Sequence, residues 1–254
     1  MLDRLDRRVL GGFRIIDQVL GGVVDDGLRI DAPGLTLARA GTGAWAVFAA
    51  PGMGPITRAF DNVPVIPAQN FDIEVHDRLR RYEPLAVTLT FPRDADPAAV
   101  TDRVDTPIDI ELPSAPGRGT AAGWSTVTVE VIQPGGAPIR GALVQVFDQG
   151  TTNERGWTLT GVRGQAVVPL VGLQKQRDIV TPDNDDPDLD PQIATVTAQT
   201  SLDVRVIADI TQPWPARPAA LRAGGATTRT TNSTSPVQLV AGGDAFLSVT
   251  LDLS

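Results

Sequence analysis

Apolar and polar residues alternate with period two over long stretches of this chain. Phe71, Ile73 and Val75 alternate with Asp72, Glu74 and His76. Leu85, Val87, Leu89 and Phe91 alternate with Ala86, Thr88 and Thr90. Side chains along a strand point to opposite faces in turn, so these runs predict half-buried β-strands. Shorter apolar runs at 13–17, 27–30, 35–38, 44–49 and 108–112 predict further strands, with glycine-containing turns such as Gly21-Gly22 and Gly41-Thr42-Gly43 between them. Residues 2–10 have Leu2, Leu5 and Val9 at helical spacing and predict one short helix ending at Gly11-Gly12.

The run 113–123, PSAPGRGTAAG, has no apolar period and is rich in Pro, Gly, Ser and Ala. Such a composition predicts a linker. A second series of strands follows, at 125–132, 142–147, 157–160 and 165–171, with one or two strands in 195–210 and a terminal strand at 245–253. Two stretches break the series. Residues 174–192 are polar and acidic and predict a long loop, and 212–232 is an excursion rich in Pro, Arg and Thr. The expected organisation is therefore all-β. It consists of an N-terminal sandwich module at 1–112 with a short arm, a Pro/Gly-rich linker at 113–123, and a second module at 124–254 with long loops at 174–192 and 212–232.

The two halves share a layout. The first reads FRIIDQVLGGVVDDGLRIDAPG and later GAWAVFAAPG; the second reads VTVEVIQPGGAPIRGALVQVFDQG and later GQAVVPLVGL. This points to duplication of one β-sandwich unit. In the second half, Val129, Val131, Pro138, Ile139, Gly141, Ala142, Val144 and Val146, followed by Gly164 to Val168, resemble the carboxypeptidase regulatory-like module. That module is a transthyretin-like, Ig-like sandwich related in shape to Cna B-type surface repeats. The resemblance implies a scaffold or binding platform and no catalysis. Cna B-type repeats often carry a Lys–Asn isopeptide bond from their first strand. Here 13–17 and 126–132 hold no lysine, and Lys175 is the sole lysine among 22 basic residues.

Composition narrows the functional classes. The 254 residues include 25 Gly and 21 Pro, which suits short strands and turns over long helices. With a net charge of −8 and no basic block, nucleic acid is an unfavourable partner. The chain has no cysteine, which removes disulfides and thiolate chemistry. Residues 1–12 are charged and lack an apolar signal core, and no apolar run reaches the roughly 18 residues of a membrane span. The expected location is a cytoplasmic assembly, with release as part of a particle or export by another route left open.

Candidate chemistry is sparse. Asp72, Glu74 and His76 lie at i, i+2 and i+4 of one predicted strand, but a solvent-facing strand surface explains them more simply than a metal site. His76 is the single histidine, so any Ser-His-Asp triad would have to use it. The acidic run Asp183 to Asp190 lacks the turn glycine of a calcium loop and reads as solvated. Neither a metal nor a cofactor is expected, and the chain is not expected to be an enzyme. Trp214, Arg217, Arg222 and Arg229 fall in the 212–232 excursion, and Trp and Arg are frequent interface anchors. They form the candidate interface.

Over its whole length the pattern resembles small structural proteins that accompany phage-tail-like contractile injection systems. The runs concerned are 8–17, 27–34, 43–47 and 71–93. That resemblance implies an adaptor subunit at the cap or baseplate end of a particle. Its partners would be other protein subunits, with self-association as an option, and neither nucleic acid nor membrane. A surface or secreted module binding proteins or glycans is the alternative.

Overall fold

The structure is a computed structural model that describes residues 8–58, 64–96, 98, 102–173, 176–180, 192–196, 199–211 and 213–253. The expected helix at 2–10 therefore lies mostly outside the described residues, and residues 8–10 are not helical. The chain divides into two compact units. One contains Met1–Pro113 together with Pro213–Ala220, and the other contains Ser114–Gln212 together with Leu221–Ser254.

The first unit has two sheets. Strands β1 (Gly11–Asp17), β2 (Leu28–Asp31), β3 (Thr36–Arg39), β4 (Ala44–Ala49), β5 (Gln69–Asp77), β6 (Leu85–Phe91) and β7 (Ile108–Leu112) are joined in the orders β3-β4-β1-β7 and β2-β5-β6. A short helix, α1 (Gly54–Arg58), follows β4. The core comes from alternate positions, as the period-two pattern requires: Phe13 and Ile15 of β1, Ile73 and Val75 of β5, Leu85, Leu89 and Phe91 of β6, and Ile110 and Leu112 of β7 are all buried. At Gly11, φ is +148° and an added Cβ would lie 2.9 Å from the Phe91 ring, so β1 and β6 pack too closely for any side chain there.

The second unit shares part of this plan. Its strands are β8 (Ser125–Ile132), β9 (Leu143–Asp148), β10 (Glu154–Leu159), β11 (Gln165–Leu170), β12 (Gln176–Val180), β13 (Gln192–Val196), β14 (Gln199–Asp209), β15 (Thr228–Asn232), β16 (Val237–Val240) and β17 (Asp244–Thr250); α2 (Pro218–Ala223) lies between β14 and β15, its first three residues assigned to the first unit. One sheet runs β10-β9-β14-β15, with β16 also on β14; the other runs β11-β8-β17. Val127, Val129 and Val131 of β8 meet Val144 and Val146 of β9, Ala166 and Val168 of β11, and Val204 and Val206 of β14 in one core. Both units are thus β-sandwiches.

Part of the pairing is shared by the two units, although the third strand differs, β3 pairing β4 and β10 pairing β9. The first strand lies between the fourth, antiparallel, and the last, parallel: β4-β1-β7 in one unit and β11-β8-β17 in the other. In the other sheet, β2 pairs β5 and β5 pairs β6, while β9 pairs β14 and β14 pairs β15. The antiparallel pair β12–β13 and strand β16 have no counterpart among the described strands of the first unit.

Several sequence expectations change here. The stretch expected as a loop at 174–192 includes β12, and residues 181–191 lie outside the described residues. The 212–232 excursion contains α2 and β15 and is not an exposed loop throughout. Within the expected linker, Ser114 and Ala115 are buried, and the Ser114 carbonyl accepts a hydrogen bond from Thr158 Oγ1 at 2.7 Å. β16 had no counterpart in the sequence reading. No described helix is long and apolar enough to cross a membrane.

Candidate functional site

In the first unit, β2 runs antiparallel to β5 with Asp31 opposite Glu74 and Arg29 opposite His76. Directly opposed residues share a face, as do residues two apart on one strand. Asp31, Glu74 and His76 therefore converge on the face opposite to buried Ile73 and Val75. His76 Nε2 lies 3.2 Å from Glu74 Oε2 and 3.6 Å from Asp31 Oδ2. The imidazole is the more enclosed group, 24% exposed against 44% for each carboxylate. Arg29 Nη2 also reaches Asp31 Oδ2, at 2.7 Å.

Asp72, which the sequence groups with Glu74 and His76, is held elsewhere. It accepts hydrogen bonds from Thr88 Oγ1 at 2.8 Å and from Arg217 Nη2 at 2.7 Å. The Thr88 hydrogen bond, followed by the Arg217 one, keeps the Asp72 carboxyl below the usual carboxylate range. Asp31 takes its place in the cluster. Sequence reasoning missed Asp31 because the expected second strand stopped at residue 30, and because pairing between β2 and β5 is non-consecutive. The available signal was an acidic residue at the end of the second strand, which meets the fifth strand in this topology.

The end of β5 is fixed by a second acid. The Asp77 side chain is fully buried, and it accepts from the backbone N–H groups of Leu79 and Arg81 and from Arg81 Nε at 3.0 Å. Arg81 also donates to the Asp26 carboxylate at 2.9 Å. These contacts raise the Arg81 guanidinium above its ordinary value, the Asp77 hydrogen bond contributing most. Nearby, buried Asp17 at the end of β1 accepts from Tyr82 Oη at 2.8 Å and from the backbone N–H groups of Val19 and Leu20.

The four residues of the candidate interface fall in two units. Trp214 and Arg217 belong to the first, Arg222 and Arg229 to the second. Trp214 is half-buried. Ala216, beside it, is buried, bridges Leu85 of β6, and accepts a hydrogen bond from Ala86 N–H at 3.0 Å. Arg217 is committed to Asp72. Arg222, on α2, pairs with Glu154 at 2.7 Å and stacks 4.9 Å from the centre of the Trp157 ring. Arg229 donates to the Ala226 carbonyl at 3.1 Å. All three arginines thus have partners within their own unit. Among the tryptophans, Trp157 is buried and Trp45, Trp124 and Trp214 are half-buried.

The terminal strand expected at 245–253 presents an apolar side chain outward. β17 is the last strand of its sheet, and Leu247 and Val249 pack inward while Phe246 stands 64% exposed on the other face.

No family model matches this chain, and no curated protein does. Among solved structures, the chain is similar to the structure of the Streptococcal ancillary pilin. The identity is 10%, the TM-score 0.27, and the match covers 86% of this chain and 50% of that one. The chain thus spans about half the length of that protein.

Proposed function

We propose that this chain is a non-catalytic structural adaptor, one subunit of a phage-tail-like contractile injection particle, placed at the cap or baseplate end. The sequence runs that carry this likeness fall on β1, β2, β4, β5 and β6, five of the seven strands described in the first sandwich. The observation that carries the reading is β17. A strand at the end of a sheet offers unpaired backbone groups to a neighbouring chain, and an exposed aromatic beside them is a typical interface anchor. The Phe246 side chain meets both conditions, since among the described strands β17 pairs with β8 alone and Phe246 points outward. With Arg217 and Arg222 engaged within the chain, β17 replaces the 212–232 segment as the principal docking surface.

The test is made in the organism that encodes the chain. A tagged copy should sediment with high-molecular-weight particles and appear in their mass-spectrometric composition at fixed stoichiometry. Phe246→Asp, a change at an exposed position, should leave the circular dichroism and thermal midpoint unchanged while depleting the chain from particles. Entry at normal occupancy would remove β17 from the docking role. A tagged chain recovered only as a single free protein would overturn the adaptor reading itself.

A further inference from the structure

We infer that Asp31, Glu74 and His76 form a binding site for a divalent transition-metal ion, zinc being the best match, which ties β2 to β5. The inference stands apart from the adaptor reading and departs from the expectation of a metal-free chain. It is carried by ligand geometry. Zinc takes imidazole nitrogen and carboxylate oxygen at about 2.0–2.2 Å, so two ligand atoms spanning a tetrahedral angle lie about 3.4 Å apart. His76 Nε2 stands 3.2 Å from Glu74 Oε2 and 3.6 Å from Asp31 Oδ2, on either side of that value. One ligand atom from each residue falls within 4.8 Å of the others, and the half-exposed carboxylates have the rotational freedom to close the remaining gap.

The backbone holds the set in place. Glu74 and His76 are two apart on β5, and Asp31 is opposite Glu74 across a paired ladder, so each Cβ position is fixed by the sheet. Ile73 and Val75 anchor the reverse face in the core. Two carboxylates supply the charge that a divalent cation neutralises, and the imidazole supplies a nitrogen donor. One nitrogen and two oxygens suit zinc, nickel or cobalt better than calcium, which prefers oxygen alone. Three protein ligands on an open sheet face leave the remaining coordination positions to water, as in sites that exchange ligands.

Arg29 is the competitor. Its guanidinium occupies Asp31 Oδ2 at 2.7 Å, and its side chain is 53% exposed and able to swing away. The ion must displace this contact or use the other Asp31 oxygen. Removing Arg29 should therefore tighten metal binding, an effect that nonspecific association with surface acids would not show at this one position.

The experiment titrates zinc chloride into the full metal-stripped chain by calorimetry and follows the thermal midpoint in parallel. One equivalent should bind and raise the midpoint. His76→Ala and Asp31→Asn should each weaken binding at least tenfold, Arg29→Ala should strengthen it severalfold, and Asp72→Asn should leave it unchanged. Cobalt(II) should give visible d–d bands that His76→Ala removes. The inference is overturned by an absence of heat and midpoint shift at millimolar zinc, or by binding that survives His76→Ala. It is equally overturned if Asp72→Asn costs as much as Asp31→Asn. Circular dichroism of each variant separates lost binding from lost folding.

Discussion

At the scale of single residues, buried acids fix the ends of strands: Asp17 the end of β1 and Asp77 the end of β5. Asp17 is buried at the end of β1, where it accepts from the Tyr82 hydroxyl and from the backbone N–H groups of Val19 and Leu20. A hydrogen bond to a charged group contributes about 1.5–3 kcal/mol, and a buried acceptor left short of a donor bears a desolvation cost. Tyr82→Phe should therefore lower stability by about 1–3 kcal/mol by urea denaturation, with the m-value unchanged. An unchanged midpoint would mean that water or another donor serves Asp17 equally well. Neither Asp17 nor Tyr82 is conspicuous in the sequence, because 65 positions separate them and no local pattern links them.

At the scale of elements, the strands follow from period-two alternation, and their ends follow from glycine and proline. Gly164 precedes β11 with φ +72°, and an added Cβ would stand 2.5 Å from the Val131 carbonyl oxygen. Both the dihedral and the space demand glycine. Gly164→Ala should cost more than about 1 kcal/mol in thermal or chemical denaturation, since alanine at positive φ is destabilising even without a clash. A loss near zero would show that the turn before β11 relaxes freely. Pro169, inside β11, fits the same logic: it has no N–H to donate, and β11 is an edge strand of the β11-β8-β17 sheet. The strands at 44–49, 85–91 and 108–112 were legible to the residue for this reason. β15 and β16 were not, since Thr228–Asn232 is polar and Val237–Val240 has only two inward residues.

At the scale of the molecule, the notable feature is residues 213–220, which belong to the first unit although the chain on both sides belongs to the second. This segment covers part of the β6 edge through Ala216, and Arg217 bonds Asp72 of β5. The Ala86 amide depends on it, because its acceptor is the Ala216 carbonyl. Hydrogen exchange at Ala86 should accelerate in a chain lacking residues 213–220, while amides in the β5–β6 ladder keep most of their protection. Equal protection at Ala86 with and without the segment would show that it does not seal the edge. The reading of two modules divided at 113–123 anticipates two compact units but not this contribution from residues 213–220.

The sequence by itself determined that the chain is all-β, where most strands lie, and that a strand–turn–strand layout occurs twice. These features are local: alternation, turn glycines and the spacing of apolar runs are written within a few residues of one another. The paired runs FRIID and VTVEVI, GLRID and GALVQVFD, and GAWAVFAA and GQAVVPLV fall on β1 and β8, β2 and β9, and β4 and β11. Tertiary structure alone decided which strands became neighbours. It brought Asp31 to Glu74 and His76, gave Asp72 to Arg217, and engaged the arginines of the 212–232 segment within the fold. Strand pairing between distant segments is set by the closure of two sheets over a common core, and a period-two pattern specifies which face is buried without specifying the partner.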